Sequence, residues 1–228
     1  MTKALILDLG GVCVGPSMGR WNIPVNAREV LGPLADGILS PAYQGACQAC
    51  NHLIDEAAPV ADEDAEVLMR ANYYAAVSER MHWNLSPSQI FALANSDTRD
   101  DHRYFLYEDV LPFLRQWKKS MRLGVLSDAL PSLLRILEHT GIAPELDAAM
   151  ISVQIGATKP DPRTFSAIVE KLRAQPEDCV FVDDRPRNIL GARRFGIRAI
   201  QMLRPDLIPE AICEGETVRN FAELDAML

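Results

Sequence analysis

The sequence predicts an α/β fold: a three-layer, doubly wound core around a parallel sheet, with a small helical cap inserted into it. Three observations predict this. Apolar runs ending in turn residues recur at ALIL (4–7), RLGVLS (122–127) and CVFVDD (179–184). Unbroken runs of that kind mark strands buried on both faces. From residue 108 onward, strand-like and helix-like patterns alternate, as βα crossovers require. Between about 25 and 100 the alternation stops, and the segment carries helical patterns with polar faces and no convincing strand.

Taken in order, the first strand runs into GGVCVGPSMGRWNIP, a Gly-rich, Pro-bounded stretch that reads as a mobile flap and crossing point. AREVLGPLADGIL, YQGACQACNHLIDEAA, DEDAEVLMRANYYAAVSERM and SPSQIFALANS are the helices of the insertion. In the last of these Ser86 is the N-cap, Pro87 the first helical residue and Gln89 the third, which is a capping-box spacing. EDVLPFLRQWKKS is the first core helix, followed by the strand RLGVLS. PSLLRILEHTG starts at Pro131 and stops at Gly141, as helix punctuation requires. AAMISV is a strand, PRTFSAIVEKLRA a helix, CVFVDD a strand and NILGARRFG a helix ending at Gly196. IRAIQM is the fifth strand, and FAELDAML a short closing helix. The expected division is a core of residues 1–15 and 105–228, with a cap of residues 16–104.

Composition narrows the function classes. With 228 residues, the chain is large enough for a core domain carrying a substantial insertion. A net charge of −8 argues against a nucleic-acid partner. Five cysteines, an odd number, argue for reduced thiols and a cytoplasmic setting rather than a disulfide framework. Met1–Leu7 is too short for a signal-peptide apolar region, and no run of about 18 apolar residues predicts a membrane span. The expectation is a soluble monomer or homodimer with neither a membrane nor a nucleic-acid partner.

The chemistry lies at strand ends. In an open parallel sheet, ligands bind where the strands end at their carboxyl termini. Asp8 ends the first strand, Ser127 the second and the Asp183–Asp184 pair the fourth, while Lys159 sits in GATKPDP (156–162). Singly, each has an ordinary reading: a turn aspartate, a turn serine, a surface lysine, a helix-capping pair. Together they suit one phosphoryl group and a Mg²⁺ ion. Glycines behind Asp8 let backbone N–H groups approach phosphate oxygens. Adjacent carboxylates repel and need a cation, and Mg²⁺ takes carboxylate oxygens together with substrate phosphate. Two prolines stiffen the Lys159 loop, so its ammonium can neutralise a transferring phosphoryl group.

The order ALILDLGG, RLGVLSD, KPDPRTF and VFVDDRPRNILGARRFGIRAI resembles the haloacid dehalogenase-like hydrolase superfamily. Within it the chain is similar to the helical-cap, C1-type phosphatase-like branch, with a DLGG first motif. The resemblance covers residues 1–15 and about 105–228, and it implies a Rossmann-like core. It implies Asp8 as a nucleophile that forms an aspartyl-phosphate, with Ser127 and Lys159 beside it in catalysis. Gly11, Ser127, Asp128 and Lys159 would bind phosphate. Asp8, the Gly10 carbonyl, Asp184 and, through water, Asp183 would hold Mg²⁺, with Asn188 orienting Asp184 or a metal-bound water. The implied function is Mg²⁺-dependent hydrolysis of a small phosphorylated metabolite.

One departure matters. The family's phosphatases usually carry a second aspartate two residues after the nucleophile, where this chain has Gly10. Dehalogenases of the superfamily also lack it, so a metal-free 2-haloacid dehalogenase is the rival reading. FVDDRPRN favours the metal reading, because dehalogenases typically replace the first carboxylate of that motif. A catalytically weak, phosphate-sensing or partner-binding protein is the third alternative. In the insertion, Cys47, Cys50 and His52 share a spacing with metal sites but lack a fourth ligand, so two core thiols are expected. Arg20 and Trp21 are candidates to close over substrate or are ordinary surface and core residues. Arg185 and Arg187 are candidates to hold an anion. His82 and His102 have no context that raises them above surface residues.

Overall fold

The computed structural model describes residues 3–55 and 60–228. The chain divides into two compact units, Met1–Gly15 with Leu106–Leu228, and Pro16–Phe105. Strand β1 (Ala4–Leu7) is buried along its whole length. The Gly-rich stretch after it opens with a turn and a short strand, β2 (Val14–Pro16).

The second unit is helical. α1 (Ala27–Leu31) stops where Gly32 takes φ +53° and Pro33 follows, so the expected continuous helix becomes a 3₁₀ segment over Gly32–Leu39. α2 (Pro41–Cys50) starts where Ser40 Oγ accepts the Tyr43 N–H at 3.1 Å, and α3 (His52–Asp55) follows. The end of that expected helix, residues 56–58, lies outside the described residues. α4 (Glu63–Arg80) is capped by Asp62, which accepts the Ala65 N–H at 2.9 Å. α5 (Pro87–Arg99) carries the expected capping box: Ser86 and Gln89 each accept the other's backbone N–H.

These helices bury an apolar cluster that includes Cys47, Cys50, Tyr43, Tyr73 and Val77. Cys47 and Cys50 are core thiols, and His52 lies on the exposed side of the chain. A buried ionic group also sits there. Arg70 donates to Glu66 at 3.0 Å and to Asp97, and Asp97 accepts the Tyr74 hydroxyl at 2.8 Å. Trp21 meets Tyr104 edge to face at 5.5 Å, and His82 and His102 are exposed.

The chain returns through β3 (Tyr104–Leu106) to α6 (Val110–Trp117), β4 (Arg122–Ser127), α7 (Ser132–His139) and β5 (Ala148–Ile151). Then come α8 (Ser152–Ile155), α9 (Pro162–Lys171), β6 (Cys179–Asp183), α10 (Pro186–Phe195) and β7 (Arg198–Met202). A two-residue strand, β8 (Thr217–Val218), and α11 (Phe221–Asp225) close the fold. The six-stranded sheet has the order β5-β4-β1-β6-β7-β8, and every neighbour pair in it is parallel. Side chains alternate between its faces: Ala4, Ile6, Cys179 and Phe181 pack with Phe165, Ile168 and Ile189 from α9 and α10. Phe113 of α6 packs on Phe221 of α11 at 4.6 Å. The predicted doubly wound α/β core is therefore the fold. Its strand order reverses between β1 and β6, and the carboxyl ends of those two strands are where such sheets open a crevice.

Candidate active site

Asp8 follows β1 directly, and its N–H donates to the Val182 carbonyl of β6 at 2.8 Å. Leu7 pairs with Val182, and Asp183 with Gln201 of β7, so Asp8 and Asp183 emerge at one end of adjacent strands. Asp8 is 7% exposed; its Oδ1 accepts the Leu9 N–H at 2.7 Å, and its carboxylate also accepts the Ser127 hydroxyl. Ser127 itself ends β4, on the other side of β1.

Lys159 is the cation at the centre. It is 1% exposed, with Nζ at 3.0 Å from Asp8 Oδ1, 2.7 Å from Asp183 Oδ2 and 3.0 Å from the Leu126 carbonyl. Its own N–H donates to Asp128 Oδ1 at 2.8 Å, which ties the loop to the end of β4. The loop runs straight into α9, where Asp161 caps the helix by accepting the Arg163 N–H at 2.9 Å and Pro162 takes the first turn. The KPDP sequence thus delivers a buried ammonium and starts a helix within four residues. On the far side, the helical Gly191 faces Pro160, where a Cβ at 191 would lie 2.4 Å from the proline's.

Asp183 is fully buried and saturated. Besides Lys159 it accepts both Asn188 Nδ2 contacts at 3.0 Å and the Arg185 N–H at 2.8 Å. Asn188 Oδ1 is buried with no partner among the described residues. Asp184 is only half buried, and a Cβ at Gly11 would lie 2.7 Å from its Oδ2. Gly11 has φ +73°, so that close approach and the left-handed backbone both call for glycine. Gly10 forms an isolated bridge with Val14. Asp8, Asp183 and Asp184 each offer an oxygen within 4.8 Å of the others.

The electrostatics follow from this crowding. Burial pushes Asp8 above the ordinary aspartate range; Lys159 pulls it down, and Asp183 and Asp128 push it up again. Burial, then Asp8 and Asp183, push Asp184 up as well. Burial alone would depress Lys159, but Asp183, Asp8 and Asp128 outweigh it and hold the ammonium charged. Burial also raises Asp128. One ammonium does not neutralise this many carboxylates. The donor set is oxygen only, compact and over-charged, which fits a hard divalent cation such as Mg²⁺.

The candidate carboxylates of the core, with Ser127 and Asn188, thus gather around Lys159. Arg185 lies beside Asp184 and reaches Glu210 at 3.9 Å, whereas Arg187 is exposed. Two groups escaped the sequence reading. Gln201 at the end of β7 is fully buried and donates to the Asp184 carbonyl at 2.9 Å. Its only sequence signal is one amide in an otherwise apolar strand. Arg204, 6% exposed, has no local signal at all.

Known proteins share this frame. The chain is 33% identical over 132 residues to a phosphoserine phosphatase of Thermus thermophilus, covering 55% of this chain and 53% of that protein. It is 35% identical over 107 residues to a GMP/IMP nucleotidase of Escherichia coli, covering 46% and 48%. It spans about half the length of the curated relatives it matches. Its fold superposes on L-2-haloacid dehalogenase from Xanthobacter autotrophicus with a TM-score of 0.70, at 15% identity, over 100% of this chain and 98% of that one. The haloacid dehalogenase-like hydrolase model matches residues 2–196, with Asp8, Ser127, Lys159 and the Asp183–Asp184 pair all inside the match, and the chain belongs to that hydrolase family.

Proposed function

We propose that the chain is a Mg²⁺-dependent phosphatase that hydrolyses a small phosphorylated metabolite through an aspartyl-phosphate on Asp8. The observation that carries this is the shared ammonium. Lys159 lies at 3.0 Å from Asp8 and 2.7 Å from Asp183, with Asp184 completing a carboxylate cluster that calls for a cation. Dehalogenases of the superfamily typically replace the first carboxylate of that motif, which this chain keeps as Asp183, and the likeness to the dehalogenase is one of fold alone. The relatives named as a phosphoserine phosphatase and a nucleotidase support the same choice.

Asp8, Asp184 and the Gly10 carbonyl would hold the ion, with Asp183 behind them fixed by Lys159, Asn188 and the Arg185 N–H. Bound there, Mg²⁺ supplies positive charge against the phosphoryl oxygens. Asp8 attacks phosphorus, forming its oxygen–phosphorus bond as the ester bond breaks, and the electron pair leaves on the departing oxygen. Lys159 and the Ser127 hydroxyl and N–H hold the phosphoryl oxygens as charge shifts onto them. Water then attacks phosphorus, the bond to Asp8 breaks, and the carboxylate and inorganic phosphate are released. The helical unit Pro16–Phe105 serves in this reading as a C1-type cap that selects the substrate.

The test is phosphate release from sugar phosphates, nucleotides and acyl phosphates in Mg²⁺ and in EDTA. Turnover should require Mg²⁺ and fall more than about 10³-fold in Asp8→Asn, with loss of the acid-stable phosphoenzyme. Chloride release from 2-chloropropionate in EDTA, without phosphate release from any ester, would overturn it in favour of dehalogenation.

A further inference from the structure

Arg204 holds the turn that carries the nucleophile. The turn is tight: the Leu9 carbonyl accepts the N–H groups of Cys13 at 2.8 Å and Val14 at 3.0 Å, and the Gly11 N–H donates to Val14 at 2.9 Å. Its next two carbonyls are gripped from outside. Val12 O accepts Arg204 Nε at 3.1 Å and Nη2 at 2.8 Å, and Cys13 O accepts the Tyr107 N–H at 3.1 Å. The other edge of the guanidinium makes a paired contact with Asp109, Nη1 to Oδ2 at 2.8 Å and Nη2 to Oδ1 at 3.0 Å. Asp109 is itself fixed by the Phe221 N–H at 2.8 Å. Tyr107 lies under the guanidinium plane at 4.0 Å.

A planar fork is needed here, since no other side chain donates two N–H groups to a carbonyl and two to a carboxylate at once. The guanidinium is buried while Asp109 is about a third exposed, and such a pair adds little net stability over apolar residues; what it does supply here is a fixed geometry. The geometry imposed is that of Asp8, Gly10 and Gly11, four to one residues before Val12, with Gly11 against Asp184. Gln201, three residues before Arg204, holds the Asp184 carbonyl from the other side. We propose that Arg204 is a positioning residue: through the Val12 carbonyl it sets the Asp8–Gly11 turn against Asp184, and so fixes the spacing of the carboxylate cluster. The kinetic side of this inference rests on the phosphatase reading; the structural side does not.

The experiment compares Arg204→Met, Arg204→Lys and Asp109→Asn with Arg198→Met. Arg198 pairs with Glu216 at 2.6 Å at the other end of β7 and serves as the control for a lost ion pair. Each protein is titrated with Mg²⁺ alone by calorimetry, assayed with p-nitrophenyl phosphate at saturating Mg²⁺, and melted. Arg204→Met should lower kcat and Mg²⁺ affinity by about tenfold or more with KM nearly unchanged. Arg204→Lys, which keeps one donor for Val12, should recover part of both, and Asp109→Asn should fall between. Arg198→Met should lower Tm only. Should Arg204→Met not fold, Arg204→Lys and Asp109→Asn decide the matter. Folded Arg204 variants with wild-type kcat and Mg²⁺ affinity and only a lower Tm would overturn the inference. A wild type that binds Mg²⁺ but hydrolyses no ester sinks the phosphatase reading and leaves this inference to the calorimetry. A wild type that takes up no Mg²⁺ overturns both.

Discussion

In the proposed mechanism Asp8 must meet two opposed demands, burial deep enough to exclude water and ionisation sufficient to attack. Burial alone raises its pKa, and the Lys159 ammonium at 3.0 Å is what opposes it. The two glycines after it divide the remaining work. Gly11 gives the Asp184 carboxylate its room, so Gly11→Ala meets both a strained φ of +73° and a Cβ at 2.7 Å from Oδ2. That substitution should lower stability by about 1–2 kcal/mol in denaturant unfolding, and weaken Mg²⁺ about tenfold in calorimetry. Gly10 is the sharper case, because the position that usually carries a general acid has no side chain. Acid–base assistance is typically worth about 10²–10⁴-fold. Stopped-flow assays should therefore show a burst of p-nitrophenol followed by slower turnover, and poor rates with alkyl phosphates. Gly10→Asp should raise turnover, most for the alkyl esters. No burst, with unchanged or lower rates in Gly10→Asp, would mean that another group already supplies the proton.

At the scale of elements, the site is an accident of where strands end, and that made it legible. β1, β4 and β6 are buried on both faces, so they read as unbroken apolar runs, and the first polar residue after each run is a candidate site residue: Asp8, Ser127, Asp183. The start of α5 was equally legible, because a capping box is written in four consecutive residues. What was hidden is whatever depends on contacts distant in sequence. Arg204 meets Val12 across 192 positions, and nothing local marks it. β2, β3 and β8 are two or three residues long, too short for alternation to show. The packing of α10 on the Lys159 loop was hidden for the same reason. Gly191 is the point where the helix touches Pro160, one residue from the ammonium. Gly191→Ala should push the two apart, lower stability by about 1–3 kcal/mol, and reduce kcat more than KM as Lys159 shifts. Calorimetric melting and steady-state kinetics on the same preparation would check both, and an unchanged kcat beside a lower Tm would confine Gly191 to packing.

Over the whole molecule the net charge is −8, and part of the negative charge sits where it is least comfortable. Asp8, Asp183 and Asp184 share one small space, with Asp128 close by and Lys159 as the buried counter-charge. This couples the site to global stability. In the metal-free protein, Asp8 and Asp184 have pKa values raised toward neutrality, so between the ordinary aspartate range and neutral pH the folded state binds more protons than the unfolded one. Stability from these two groups is thus fully present at low pH and is lost as pH rises through that window. Bound Mg²⁺ reverses the sign. It holds both carboxylates ionised, so protons compete with it and its contribution grows as pH rises. Differential scanning calorimetry in EDTA and in excess Mg²⁺, from pH 5 to pH 8, should therefore show a Tm increment that is small at pH 5 and largest at pH 8. Asp184→Asn removes one of the two protonation sites and a ligand, so it should shrink the increment at pH 8 and raise the Tm in EDTA there, where repulsion in the wild type is greatest. An increment independent of pH, or an Asp184→Asn protein less stable than wild type in EDTA at pH 8, would mean that groups of the chain already balance the carboxylates without a metal.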